Sequence, residues 1–324
     1  MKDKRKHHFV PVGYLKHFAD DNGFLNILRK GDRISSSKSK PSETGFRNYY
    51  YSQPLPEGGY EHNSLEDVFS KFETDWPNTV EVLSSDRPAN SVLKHLMAFI
   101  GLQRVRVPAF RDAIEQSMEA HARRNFELLR NTGELPFPPP DFPDIADHVQ
   151  ISVDPHRSIY AVILTKNMIG SILDSFGYVV IHNETAIDFI TSDNPVCYFL
   201  AETSENNIVP YSWHHARERE FIFPVSPRVL IYGSSRDRER FRGRGLKRVR
   251  VRDLQKIIRL NRLVARFSYE VVFSRTKINP AFLEKFANAS PVLDPRFEGF
   301  HPDDAIIPPY IFGPRRRLTK WDKK

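Results

Sequence analysis

A change of hydropathy rhythm at Gly177 constrains this chain more than any other feature. Across residues 90–130 apolar side chains recur at helical spacing, through Leu93, Leu96, Met97, Ile100, Val107, Phe110, Ile114, Met118, Ala122, Phe126 and Leu129. Beyond Gly177 the apolar residues come in short runs of strand length, at 178–182, 186–190, 196–200, 220–223 and 229–233. Helices first and strands afterwards is the order of an α+β fold rather than of alternating βαβ units. The expectation is a helix-rich N-terminal half (about 61–176) packed on a mainly antiparallel sheet from the C-terminal half (about 177–275), in a single α+β domain over 1–290. Residues 291–324, dense in proline and basic at the end, read as an extended strap and tail.

Local signals fill in this outline. Pro11 suits the first turn of a short helix that puts Tyr14, Leu15 and Phe18 on one face. Residues 24–29 and 46–51 read as strands, and the polar stretch 35–45 as a connector. Asn63 or Ser64 caps a helix whose stripe is Leu65, Val68, Phe69, Phe72 and Trp76, with Glu66 and Glu73 seven residues apart along its flank. Pro108 should kink the long helix, with Gln103, Arg104, Arg106 and Arg111 around the bend. A further helix over 157–176 should bury Ile159, Val162, Ile163, Ile169, Ile172 and Leu173.

The 24 Phe and 12 Tyr are more than a disordered chain carries. Cys197, the single cysteine, has no partner for an internal disulfide and reads as a buried thiol in a reducing compartment. No apolar run reaches the roughly 18 residues of a membrane span, and residues 9–18 are too short and mixed for a signal peptide, so a cytoplasmic protein with no membrane partner is expected. The sequence lacks a glycine-rich phosphate loop, His-Glu-x-x-His, Gly-x-Ser-x-Gly and Cys-x-x-Cys, which disfavours the chemistries those motifs serve.

Charge is uneven. Residues 236–266 hold 13 Lys/Arg against three acids, an excess larger than the net +8 of the whole chain. Residues 314–324 add six basic residues against Asp322, so the remainder is acidic. In a helix over 251–267, Arg252, Lys256, Arg259, Arg262 and Arg266 fall within about 120° of arc, while Leu254, Ile257, Ile258, Leu260, Val264 and Phe267 occupy much of the opposite half. With Arg240, Arg242, Arg244, Lys247 and Arg248 of the preceding Arg/Gly loop they form a candidate surface for DNA or RNA, to which Tyr49, Tyr50 and Trp213 could add stacking. The plainer reading is a solvated basic face. Asn261, at the centre of the apolar face, must be hydrogen-bonded, either as a tie to a sheet turn or toward a polar site.

Between two of the apolar runs lies Thr191-Ser192-Asp193-Asn194-Pro195-Val196. Asp and Asn bond their own backbone in turns and Pro195 fixes φ, so a carboxylate and an amide sit at a rigid corner. The corner is either a structural Asx turn or part of a site. An enzymatic reading joins Asp193 and Asn194 with His7, His8, Glu66 and Glu73, and with Arg104 as charge stabiliser, in a metal-dependent phosphodiesterase or nuclease. His8, Glu66 and Asp193 would then hold a divalent metal. Adjacent strand residues point to opposite sides, so at most one of His7 and His8 should face such a site. The structural reading pairs Glu66 and Glu73 with arginines of the neighbouring helix. A third reading is a regulatory or sensor module that binds a small anionic ligand or a protein partner without chemistry.

Three stretches carry a resemblance: His7-His8-Phe9-Val10-Pro11 with Tyr14-Leu15 and Phe18; Leu65-Glu66 and Glu73 followed by Phe99-Ile100-Gly101-Leu102-Gln103-Arg104; and Phe189 to Val196 followed by Phe223-Pro224-Val225-Ser226-Pro227. In this order and spacing the chain resembles the bacterial family of unknown function DUF4238. It departs at Val12-Gly13 and in the Arg-rich loop. The resemblance implies that the three stretches share one domain; it implies no activity and no catalytic residue.

Overall fold

A computed structural model describes residues 4–154, 156, 158–159, 165–201, 208–212, 217–294 and 309–315. The first part of the chain runs β1 (Lys6–His8), α1 (Val12–Lys16), β2 (Leu25–Arg29), β3 (Ser35–Ser39), β4 (Phe46–Asn48), β5 (Gln53–Pro54) and β6 (Tyr60–Glu61). Helices α2 (Ser64–Glu73), α3 (Trp76–Ser84), α4 (Leu93–Arg106), α5 (Pro108–Thr132) and α6 (Lys166–Leu173) follow. Then come β7 (Gly177–Asn183), β8 (Thr191–Ser192), β9 (Cys197–Ala201), β10 (Ile208–Pro210), β11 (Arg219–Ser226), β12 (Val229–Ser234), α7 (Arg238–Arg244) and β13 (Lys247–Val251). The described chain closes with α8 (Leu254–Phe267), β14 (Val271–Ser274), α9 (Ala281–Glu284), β15 (Ser290–Leu293) and β16 (Tyr310–Gly313).

The fold is α+β and its sheets are mainly antiparallel. A six-stranded sheet has the order β10-β9-β11-β12-β7-β13, parallel only between β13 and β7. A four-stranded sheet has the order β3-β2-β14-β8. The division into a helical half and a strand half holds only in part, because β2 pairs with β14, with Leu28 opposite Val272. Hydropathy reports which face of a strand is buried, not which distant strand it meets, so this pairing leaves no local trace.

Other boundaries move for identifiable reasons. Residues 35–39 form a sheet edge on β2, where serine and lysine face water without cost to a core. Val107, as the residue before a proline, is extended (φ −81°, ψ 152°), and Pro108 starts a new helix, so the expected kink is a break between α4 and α5. Residues 235–245 are not an open loop but a 3-10 turn and α7. Residues 186–190 are irregular rather than a strand. Of the helix expected over 157–176, Val162 and Ile163 lie outside the described residues. The end of the strap contributes β16, paired with β15.

At Gly177 an ideal Cβ would stand 2.2 Å from the Asp237 carbonyl oxygen, so the chain needs glycine where its rhythm changes. Trp76 stacks on Phe99 at 3.9 Å, with Tyr14 and Phe223 against them, and nearly all the buried apolar residues join one cluster reaching from Phe9 to Tyr310. Among the described residues, no helix is long and apolar enough to cross a membrane.

Candidate functional site

The residues singled out in the sequence occupy three buried places and one surface. The first is the corner. Asp193, 2% exposed, accepts the backbone N–H of Tyr269 on Oδ1 at 2.7 Å and those of Glu270 and Val271 on Oδ2 at 2.6 and 3.0 Å. These donors belong to the turn from α8 into β14. Asn194 donates through Nδ2 to Tyr211 Oη and to the Phe267 carbonyl, both at 2.8 Å, and Pro195 leads the chain out toward β9. Asn261 is the tie to the strand side: its Nδ2 donates to the Asp188 carbonyl at 2.9 Å and its Oδ1 accepts from Ile190 N at 3.1 Å. Lys30 is a further member. Its buried ammonium donates to the carbonyls of Ser268 (2.6 Å), Ala289 (2.9 Å) and Arg266 (3.3 Å), which places a cation at the C-terminal end of α8. Burial pulls this amine down to about 7, against the pull of Asp193. Burial and the Glu270 charge push the Asp193 carboxyl up to about 6, against the backbone donors and Lys30, leaving it an anion at neutral pH.

The second place is the N-terminal strand. His7 is buried: its Nδ1 accepts from Tyr51 N at 2.8 Å, so Nε2 carries the proton and donates to the Lys4 carbonyl at 2.8 Å. Burial lowers His7 to about 4, which keeps this neutral form. His8 faces the other way and is half-buried. Arg106 binds this segment to α2, donating to the His8 carbonyl, pairing with Glu73 at 2.7 Å and lying over the Phe69 ring at 4.6 Å. The partner of Glu73 is thus Arg106 and not Arg104. Two residues apart on a helix means about 200° of rotation, so α4 sends the two arginines to opposite sides. Arg111 bonds Ser158 and the Tyr50 carbonyl and pairs with Glu115 at 3.5 Å.

Glu66 lies beside the Arg106–Glu73 pair, and burial raises its carboxyl to about 7, with Arg106 opposing and Glu73 adding to the rise. A raised folded pKa means that the native state holds this proton more tightly than the unfolded chain, so Glu66 withdraws stability as pH climbs from about 4.5 to about 7. Glu66→Gln should therefore gain on the wild type between pH 5 and pH 8 by about 2 kcal/mol after allowance for solvent screening. Urea unfolding at both pH values checks this; an unchanged difference would show that the carboxyl is not held protonated.

Arg104 is the third place. It is 1% exposed and stacks on Tyr211 at 3.7 Å, with Phe110, Tyr198 and Tyr310 around it. Rings and phenol oxygens, not a carboxylate, receive this charge. Cys197 is buried nearby, and burial pushes its thiol well above the usual range. Among the described residues, no three His, Cys, Asp or Glu side chains form a group that could hold a metal ion.

The surface is the basic face of α7, β13 and α8. Asp253 caps α8 by accepting from Gln255 N and Lys256 N, which fixes the helix phase and turns its arginines outward. The cations divide by partner. Arg242 pairs with Glu239, Arg250 and Arg252 with Glu184, and Arg259 with Glu220, while Arg248 donates to the carbonyls of Val82 and Arg87. Arg240, Arg244, Lys247, Lys256 and Arg262 are exposed and make no ion pair with a described residue. Of the expected stacking side chains, Tyr50 is buried, Tyr49 is 40% exposed and Trp213 lies outside the described residues.

Along one side of α8 a pocket of about 370 Å³ opens between that helix and residues 281–289. Arg259, Arg262, Arg266 and Lys285 supply its charge and Ile208, Leu263, Phe282 and Phe286 its apolar wall, with no acid among the described lining residues. Arg266 is held over the Phe312 ring at 4.2 Å. Lys285, Phe282 and Phe286 escaped the sequence reading. Their signal is weak: an aromatic pair four apart with a lysine beside it, in a segment too short for a visible face.

A family model described as a protein of unknown function (DUF4238) matches residues 6–278. No curated protein and no solved structure matches the chain.

Proposed function

The chain belongs to the DUF4238 family of proteins of unknown function, and on that footing we propose that it associates with nucleic acid through the basic face of α7, β13 and α8. One observation carries the reading: Arg240, Arg244, Lys247, Lys256 and Arg262 stand exposed with no carboxylate partner among the described residues. Cations already paired with Glu184, Glu220 or Glu239 gain little from a phosphate, whereas unpaired ones release counterions from the bound strand. A basic sheet edge also guards against strand addition, which accounts for Lys247 on β13 but not for the cations of α7 and α8. The reading is one of binding in a cytoplasmic setting. His7, Glu73 and Asp193 serve the fold in it, because the contacts of His7 and Asp193 are to backbone and Glu73 pairs with the buried Arg106.

Salt titration tests the proposal. Affinity for a single-stranded oligonucleotide should fall linearly on a log–log plot against salt, with a slope of about −3 if most of these cations meet phosphates. Absence of affinity for DNA and RNA at low salt would remove the reading.

A further inference from the structure

We propose that the pocket beside α8 is a subsite for a single nucleoside monophosphate, either free or at the end of a strand. This rests on the nucleic-acid reading and gives it a ligand. The charge left for a ligand is that of Arg262 and Lys285, two cations that match a phosphate dianion, since Arg259 pairs with Glu220 and Arg266 lies over the Phe312 ring. Arg262 reaches the pocket without an ion pair to a described residue, and Lys285 approaches from the facing segment. Phosphate alone would not need the apolar part of the lining. There Phe282 and Phe286 are half-buried, with part of each ring left to the pocket, and Leu263 and Ile208 extend the apolar surface. A base stacks on such rings whatever its identity. The volume of about 370 Å³ lies at the small end of ligand pockets, enough for one nucleotide and not for a stacked run.

A strand engaged in this way would lie its backbone along the free cations of the basic face while its last base and phosphate enter the pocket. The pocket would then distinguish ends from interiors, which the open face cannot do.

The test uses the full chain with five probes: adenosine monophosphate, adenosine, inorganic phosphate, and one short single-stranded DNA carrying either a 5′-phosphate or a 5′-hydroxyl. The monophosphate is expected to bind about tenfold or more tightly than adenosine. R262Q/K285Q should weaken it by about tenfold or more and abolish any preference for the phosphorylated end. Phe286→Leu, which keeps apolar bulk and removes the ring, should weaken the monophosphate while leaving inorganic phosphate unchanged. A phosphate-end preference in the wild type assigns the subsite to strand ends, and its absence with tight monophosphate binding assigns it to free nucleotides. If the oligonucleotide binds but the monophosphate does not, or binds equally well to R262Q/K285Q, the subsite is overturned and the surface reading survives. If no oligonucleotide binds at low salt, the reading beneath it falls as well.

Discussion

Asp193→Ala should cost roughly 4 kcal/mol of stability, read as a shift in the denaturant midpoint. The carboxylate holds the backbone N–H groups of Tyr269, Glu270 and Val271 in a place that water does not reach, and alanine leaves all of them without an acceptor. A buried donor stripped of its partner costs about 1–3 kcal/mol, and partial relaxation of the turn keeps the total below the sum. Lys30 adds to the loss because its buried ammonium keeps its carbonyls but loses the nearby anion. Asp193→Asn should fall about midway, since it retains one acceptor and sets an NH2 group against an N–H. An Asp193→Ala protein as stable as the wild type would mean that the corner is not the clasp between α8 and β14 and would return Asp193 to the candidates for chemistry.

This clasp shows what the sequence can and cannot disclose. The rigid corner was legible from Asp193, Asn194 and Pro195, and Asn261 was legible as a buried amide that needed partners. The partners were not, because they are backbone atoms brought from far along the chain, and Lys30 looks like any turn lysine. The three stretches that carry the family resemblance have a physical meeting point: Tyr14 Oη donates to the Pro224 carbonyl at 2.7 Å and lies 2.6 Å from Thr191 Oγ1. Gln103 adds a bond to the Phe9 carbonyl at 2.9 Å. These residues join the N-terminal segment, α4 and the two sheets. The α+β character followed from periodicity, since a buried face imposes its rhythm on the sequence. The crossing of β2 to β14 did not follow, and neither did the choice of Arg106 over Arg104, which depends on which side of α4 faces α2. On the surface the excess of charge was plain, while its division into paired and unpaired cations needed the positions of Glu184, Glu220 and Glu239.

That division yields the second large effect. Unpaired cations at the surface have hydration and counterions to exchange for phosphate, whereas a paired arginine must first give up its carboxylate. Neutralising Arg240, Arg244, Lys256 and Arg262 together should weaken binding of a single-stranded oligonucleotide at low salt by about a hundredfold or more and flatten its salt slope by about 2 to 3. Their side chains are exposed and spend nothing on the fold, so thermal stability should change little. Neutralising Arg242, Arg250 and Arg252 removes nearly as much charge from the same face, but from residues committed to Glu239 and Glu184, and should weaken binding by less than about tenfold. Side-by-side affinity measurement of these two variants against the wild type tests the central claim. Selective loss in the first variant is the predicted result; equal loss in both, or a wild type that binds no oligonucleotide, would contradict it.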